Sequence, residues 1–265
     1  MKRAVLTLSI LMSVAGCAAA QIVTTNIPTV DLTGKTLGPE MPVEQILDAL
    51  DQVGQGLKDF DARVSMGQAD DVSGEDLTRS GRVCYRIGPD GNAAVNVDFD
   101  KKIVGKRMQD KRVQYLLNDG WLTDRDYDRK VEIRRQVTKP GQKINLLKLG
   151  EGPFPLPIGQ KREDVLANFD VAKGGVGKDD PKDTVHLQLT PKKGTSFERK
   201  FKTIDVWVDV KTHFPVRIQT LDKNETTTRT TDLNNIRINP GLKDSDFELP
   251  RIGDDWQRTQ EDYKD

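Results

Sequence analysis

Apolar and polar positions alternate along most of the chain. Phe60, Ala62, Val64 and Met66 alternate with Asp61, Arg63 and Ser65. Val83, Tyr85 and Ile87 alternate with Cys84 and Arg86, and after the turn residues 88–92 the series resumes at Val95, Val97 and Phe99. Period two predicts strands with one dry face and one wet face. A sharper hairpin runs from Val113 to Asn118, turns at Asp119-Gly120 and returns from Trp121 to Tyr127. Asp-Gly suits a two-residue turn because both positions need positive φ. A further strand is predicted over Val131 to Val137. Four more follow over Val185 to Leu189, Ser196 to Val210, Val216 to Leu221 and Thr226 to Ile238.

Helical spacing is confined to a few places. Pro42 opens a stripe of Val43, Ile46, Leu47, Leu50, Val53 and Leu57, with Gly54 and Gly56 weakening its end. Ile144 to Leu149 predicts a short helix inside the Pro- and Gly-rich stretch 138–159. Glu163 to Val171 predicts another, with Val165, Leu166 and Phe169 on one side. Ala172 to Asp183 reads as an exposed loop. Many alternating strands and few helices predict a mainly β fold: one open, curved antiparallel sheet, an unclosed β-barrel, with a few helices on its concave side.

The first twenty residues break the pattern. Lys2 and Arg3 precede an uncharged run, Ala4 to Gly16, and then small residues. That is the layout of a secretory signal, and the run is too short to span a bilayer. Cleavage after Ala20 gives a signal peptide of residues 1–20. Val14-Ala15-Gly16-Cys17 instead resembles a lipobox, with residues 1–16 removed and Cys17 lipidated; both remain open. Residues 21–40 read as a flexible segment, 41–250 as the folded domain and 251–265 as a loose polar tail. The predicted location is the periplasm, with anchoring to an outer membrane if Cys17 carries lipid.

Composition narrows the function. Lys+Arg and Asp+Glu each number 41, so no net field draws nucleic acid. Charged residues make up 31% and hydrophobic residues 35%, which suits a domain with a wet surface. Cys84 reads as a small packed side chain in a strand. His186 and His213 read as surface or rim residues, and Asp179-Asp180 as a solvated turn. No catalytic motif, metal-ligand spacing or cofactor loop is present in the sequence, so no enzyme, no metal and no cofactor are expected.

The run Tyr115-Leu116-Leu117-Asn118-Asp119-Gly120-Trp121 with Asp126-Tyr127, then Ile204 to Asp209 with Phe214-Pro215, and finally Asp246 to Pro250, resembles the LolA/LolB lipoprotein-carrier family in content and order. The resemblance covers about Val43 to Pro250. The family's functional arginine near the second strand has Arg86 nearest to it, offset in position. The resemblance implies a half-barrel whose concave apolar face holds the acyl chains of lipoproteins or lipids, without catalysis, as a carrier or acceptor. It implies acylated lipoproteins or lipids as partners of a monomer. Candidate lipid-binding residues are Phe60, Val64, Met66, Tyr85, Val95, Val97, Phe99, Tyr115, Leu117 and Trp121. The alternatives are a ligand-sensing signalling module, or an anchored structural envelope protein whose sheet is filled by its own helices.

Overall fold

The Asp119-Gly120 turn has φ values of 50° and 76°, so both residues take the left-handed conformation that a two-residue hairpin requires. It joins β4 (Arg107–Asn118) to β5 (Trp121–Asp126) in a computed structural model that describes residues 34–88, 91–139 and 160–263. Before them come α1 (Val43–Gly56), β1 (Asp59–Asp70), β2 (Glu75–Ile87) and β3 (Ala93–Val104). After them come β6 (Val131–Gln136), α2 (Arg162–Asn168), β7 (Phe169–Lys173), β8 (Thr184–Pro191), β9 (Phe201–Asp209), β10 (Pro215–Asp222), β11 (Thr227–Ile238), a 3₁₀ turn (Asp244–Phe247) and β12 (Gln257–Glu261).

The twelve strands of the described residues form one sheet in the order β12-β6-β5-β4-β3-β2-β1-β11-β10-β9-β8-β7, which does not close on itself. Pairing is antiparallel throughout except between β12 and β6. The fold is therefore the mainly β, open sheet that the alternation predicts.

The dry face carries one continuous core. Phe60, Val64, Tyr85, Val95, Val97 and Leu117 meet Ile204, Val206, Ile218 and Leu233 from the other half of the sheet. Helix α1 lies on this face and buries Ile46, Leu47, Ala49 and Leu50. Each buried Ile or Leu contributes roughly 1.5–3 kcal/mol. Helix α2 is tied to α1 by a buried ion pair, Arg162 Nη1 to Asp48 Oδ2 at 2.9 Å. Phe214, fully buried in the turn between β9 and β10, meets the Phe60 ring edge-on at 5.2 Å.

Several expectations are corrected. The helix read over 163–171 ends at Asn168, and Phe169 begins β7. Residues 196–200 are turn rather than strand. β1, β2, β3 and β4 extend well past their alternating portions, to 12 or 13 residues each. Part of the segment read as flexible is fixed: Leu37 is buried, and its N–H donates to the Val210 carbonyl at 2.8 Å. The C-terminal residues read as loose contain β12, which adds an edge strand beside β6. His213 is buried and His186 is largely covered, so neither is a rim residue. The signal segment, Cys17 and the helix read over Ile144 to Leu149 lie outside the described residues.

Candidate functional site

Register divides the concave face into two ends. Near α1, β1 to β4 align Phe60, Tyr85, Val95 and Leu117 in one buried row across the sheet. Phe60 and Tyr85 stack with centroids 5.4 Å apart, and burial pushes the Tyr85 hydroxyl well above its ordinary range. Toward the far ends of the strands, the row becomes Met66 beside Arg79, then Gln68 beside Leu77. Here the face opens into a cavity of about 420 Å³.

The cavity is walled by Met66, Leu77, Phe99, Tyr115, Leu122 and Ile218 together with Arg79, Asp124, Arg135 and Arg229. Arg135 belongs to β6 and Ile218 to β10, seven positions apart in the sheet order. In a flat sheet those strands would be roughly 34 Å apart at the usual strand spacing. That both line one cavity shows how strongly the sheet curves. Phe99 and Tyr115 meet edge to face at 6.2 Å. Burial raises the pKa of Tyr115 and that of Asp124, the latter opposed by the nearby Arg135 and Arg79 charges.

A bulge separates the two ends. Gly81 pairs with Phe99 while its neighbour Ser80 pairs with Lys101, leaving Asp100 as the extra residue. A Cβ on Gly81 would lie 1.9 Å from the Asp98 carbonyl oxygen, so β3 can bend over β2 only because this residue is glycine.

Of the ten residues expected on the wall, Met66, Phe99 and Tyr115 line the cavity. Phe60, Val64, Tyr85, Val95, Val97 and Leu117 lie in the packed core. Trp121 is on the opposite face. Leu122 pairs with Leu117, so its neighbour Trp121 points outward, where the Arg134 guanidinium lies 4.4 Å from its ring centre. Sequence reasoning missed Arg79, Arg135 and Arg229. Arg79 was legible as the continuation of the Val83, Tyr85 series by steps of two, through Gly81.

The convex face is polar and braced. Asp61 accepts from Arg82 Nη2 at 2.8 Å and from Arg237 Nε at 2.7 Å. These contacts, Arg237 foremost, hold its carboxyl below the usual range against the effect of burial. The C-terminal segment crosses this face. Asp244 accepts from Arg86, Asp246 accepts from Arg82, and Phe247 packs against Cys84 and Ala94. Arg86 also lies 4.6 Å over the Phe247 ring, so it is a strap contact outside the cavity. Burial pushes the Cys84 thiol up to about 11, which leaves it unreactive at neutral pH.

A second hollow, of about 610 Å³, lies under the loop 174–183 beside Pro39 and Val210. Its lining joins Pro39, Val185 and Val210 to a loop with a fully exposed Val176 and the charged Lys178, Asp180, Lys182 and Asp183. Among the described residues no group of three or more His, Cys, Asp or Glu side chains is placed to hold a metal ion, and no helix is long and apolar enough to cross a membrane.

No family model matches the chain, and no curated protein matches it. Solved structures do. A LolA superfamily protein from Nitrosomonas europaea is 11% identical, with 79% of this chain and 98% of that one covered and a TM-score of 0.32. An outer-membrane lipoprotein-sorting protein domain from Vibrio parahaemolyticus is 13% identical, covering 77% and 95%, at 0.33. LprF from Mycobacterium bovis is 14% identical, covering 78% and 97%, at 0.43. Structural neighbours thus include LolA superfamily proteins, at low identity.

Proposed function

We propose that the protein is an exported, non-catalytic envelope protein that holds an acyl chain of a lipid or lipoprotein in its concave cavity, as a carrier or acceptor. The observation that carries this reading is the half-apolar cavity of about 420 Å³ at the open end of a curved sheet whose other end is sealed by α1. Its volume falls within the roughly 300–1,000 Å³ of small-molecule sites. An acyl chain needs no reacting group. It needs a dry wall, and each methylene buried there contributes about 0.8 kcal/mol. The ordered motifs shared with the LolA/LolB family support the same reading.

The packed state of the closed end favours one alternative for that end: there the sheet is filled by its own helix, as in a structural envelope protein. Calorimetric titration of delipidated protein with methyl dodecanoate, an uncharged chain, tests the main reading. Saturable one-to-one binding is expected. Absence of binding both of this ester and of the anionic dodecanoate leaves only the structural alternative. Transfer of a bound fluorescent lipid from donor to acceptor vesicles then separates a carrier from a ligand sensor. If Cys17 is lipidated, mass spectrometry of the mature N-terminus finds an acylated cysteine there; a free Gln21 refutes anchoring.

A further inference from the structure

We propose that the cavity selects anionic amphiphiles, with the chain against the apolar wall and a carboxylate or phosphate head group held by Arg79, Arg135 and Arg229. This rests on the acyl-chain reading above and adds the class of head group.

The argument begins with charge. The whole chain balances 41 basic against 41 acidic residues. The described lining of this one cavity holds three arginines and a single carboxylate, Asp124. The excess is local, and low-dielectric walls concentrate its field. The arginines are also poorly neutralised. Arg79 makes no ion pair or side-chain hydrogen bond among the described residues. Arg229 donates to a neutral group, Gln68 Oε1, at 3.2 Å. Arg135 pairs with Glu261 on β12 at 3.0 Å, with both side chains about two-fifths exposed, a weak and exchangeable contact.

Register brings the groups together. Arg79 stands beside Met66 on one side of β1, and Arg229 beside Gln68 on the other, one pleat further along. Arg135 stands beside Leu122 on the facing wall. Arg79 and Arg135 therefore adjoin the apolar lining, and Arg229 stands at its exposed rim between Gln68 and Thr220. Guanidinium forks match carboxylate and phosphate geometry, and such bonds are about twice as strong as neutral ones. Asp124 is one carboxylate against three guanidinium groups, so the lining keeps an excess of positive charge with Asp124 ionised.

The test compares dodecanoate, dodecyl phosphate and methyl dodecanoate by calorimetric titration of the full mature protein, below micelle-forming concentrations. The anions are expected to bind at least tenfold more tightly than the ester, and the tighter anion identifies the head-group source. In the double variant Arg79→Gln/Arg229→Gln the ratio of anion to ester affinity is expected to fall several-fold, read as a ratio so that any change in the wall itself cancels. Raising the salt concentration on the wild-type protein checks the same point without a variant: anion affinity falls and ester affinity does not. Equal binding of anions and ester by the wild-type protein overturns the head-group assignment alone. Retention of the preference by a folded double variant overturns the role of these arginines. Failure of all three probes to bind overturns the acyl-chain reading with it.

Discussion

The two ends of the concave face share strands and hydrophobic periodicity but have different contents. At the closed end, Phe60, Tyr85, Val95 and Val97 are at most 2% exposed beneath α1. At the open end, the same strands present Met66, Leu77, Arg79 and Gln68 to a cavity. Alternation therefore marks a dry or half-dry face, and says nothing about what covers it. A helix covers one end, and a space large enough for a ligand adjoins the other.

The largest expected effect that tests this contrast is Val97→Glu. A carboxylate placed in the packed core has no counter-charge there, so a loss of about 4 kcal/mol or more, or failure to fold, is expected in urea unfolding. A folded variant of near-parental stability would show that the closed end is an empty cavity as well. Gly81→Ala comes next, because its methyl overlaps the β3 backbone at the bulge between the two ends. A loss of about 3 kcal/mol is expected, and a neutral result would mean that β3 relaxes and the division between the ends is soft.

Asp61→Asn weakens the brace behind the closed end, and a loss of about 1–2 kcal/mol at pH 7 is expected for a buried, charge-assisted contact. Because the folded-state pKa of Asp61 is lowered, its contribution is fully present above the unfolded value near 4. It is lost as pH falls through the folded value. Unfolding curves of parent and variant should therefore converge in strong acid; a gap that persists there would point to packing instead of charge. Met66→Glu has the smallest expected effect on stability, under about 1 kcal/mol, since the new carboxylate lies beside Arg79 at a solvent-open wall. It should nevertheless abolish binding of dodecanoate. A large loss of stability would place Met66 in the core and collapse the contrast from the other side.

Legibility in the sequence followed the same division. Strands were clear where one face is buried, as at Phe60 to Met66 and Val95 to Phe99. They were cut short where both faces are wetter, as in Gly67 to Asp70 and Glu75 to Arg79, because alternation fades once burial stops enforcing it. Arg79 fell in one of those stretches and was missed for that reason, whereas Arg135 and Arg229 lie in strands that were read, and only the curvature of the sheet turns them to a common cavity. Trp121 was assigned to the cavity on its chemistry, but a residue directly after a two-residue turn takes its face from the register, and Leu122 holds the inward position. The edge strand β12 was unreadable because all five of its side chains are exposed and only its backbone is paired.

The sequence by itself determined the class of fold: period two, the Asp-Gly hairpin and the single amphipathic stripe of α1 are local properties, set by backbone geometry and by which side chains avoid water. It also determined the absence of net charge. Curvature, face assignment beyond each turn and the choice between filled and empty were decided only in the tertiary structure. These depend on bulges, on which strands become neighbours and on where a helix docks. The gathering of Arg79, Arg135 and Arg229 around one cavity is of that kind: residues far apart in the chain share a wall only because the sheet bends them toward each other.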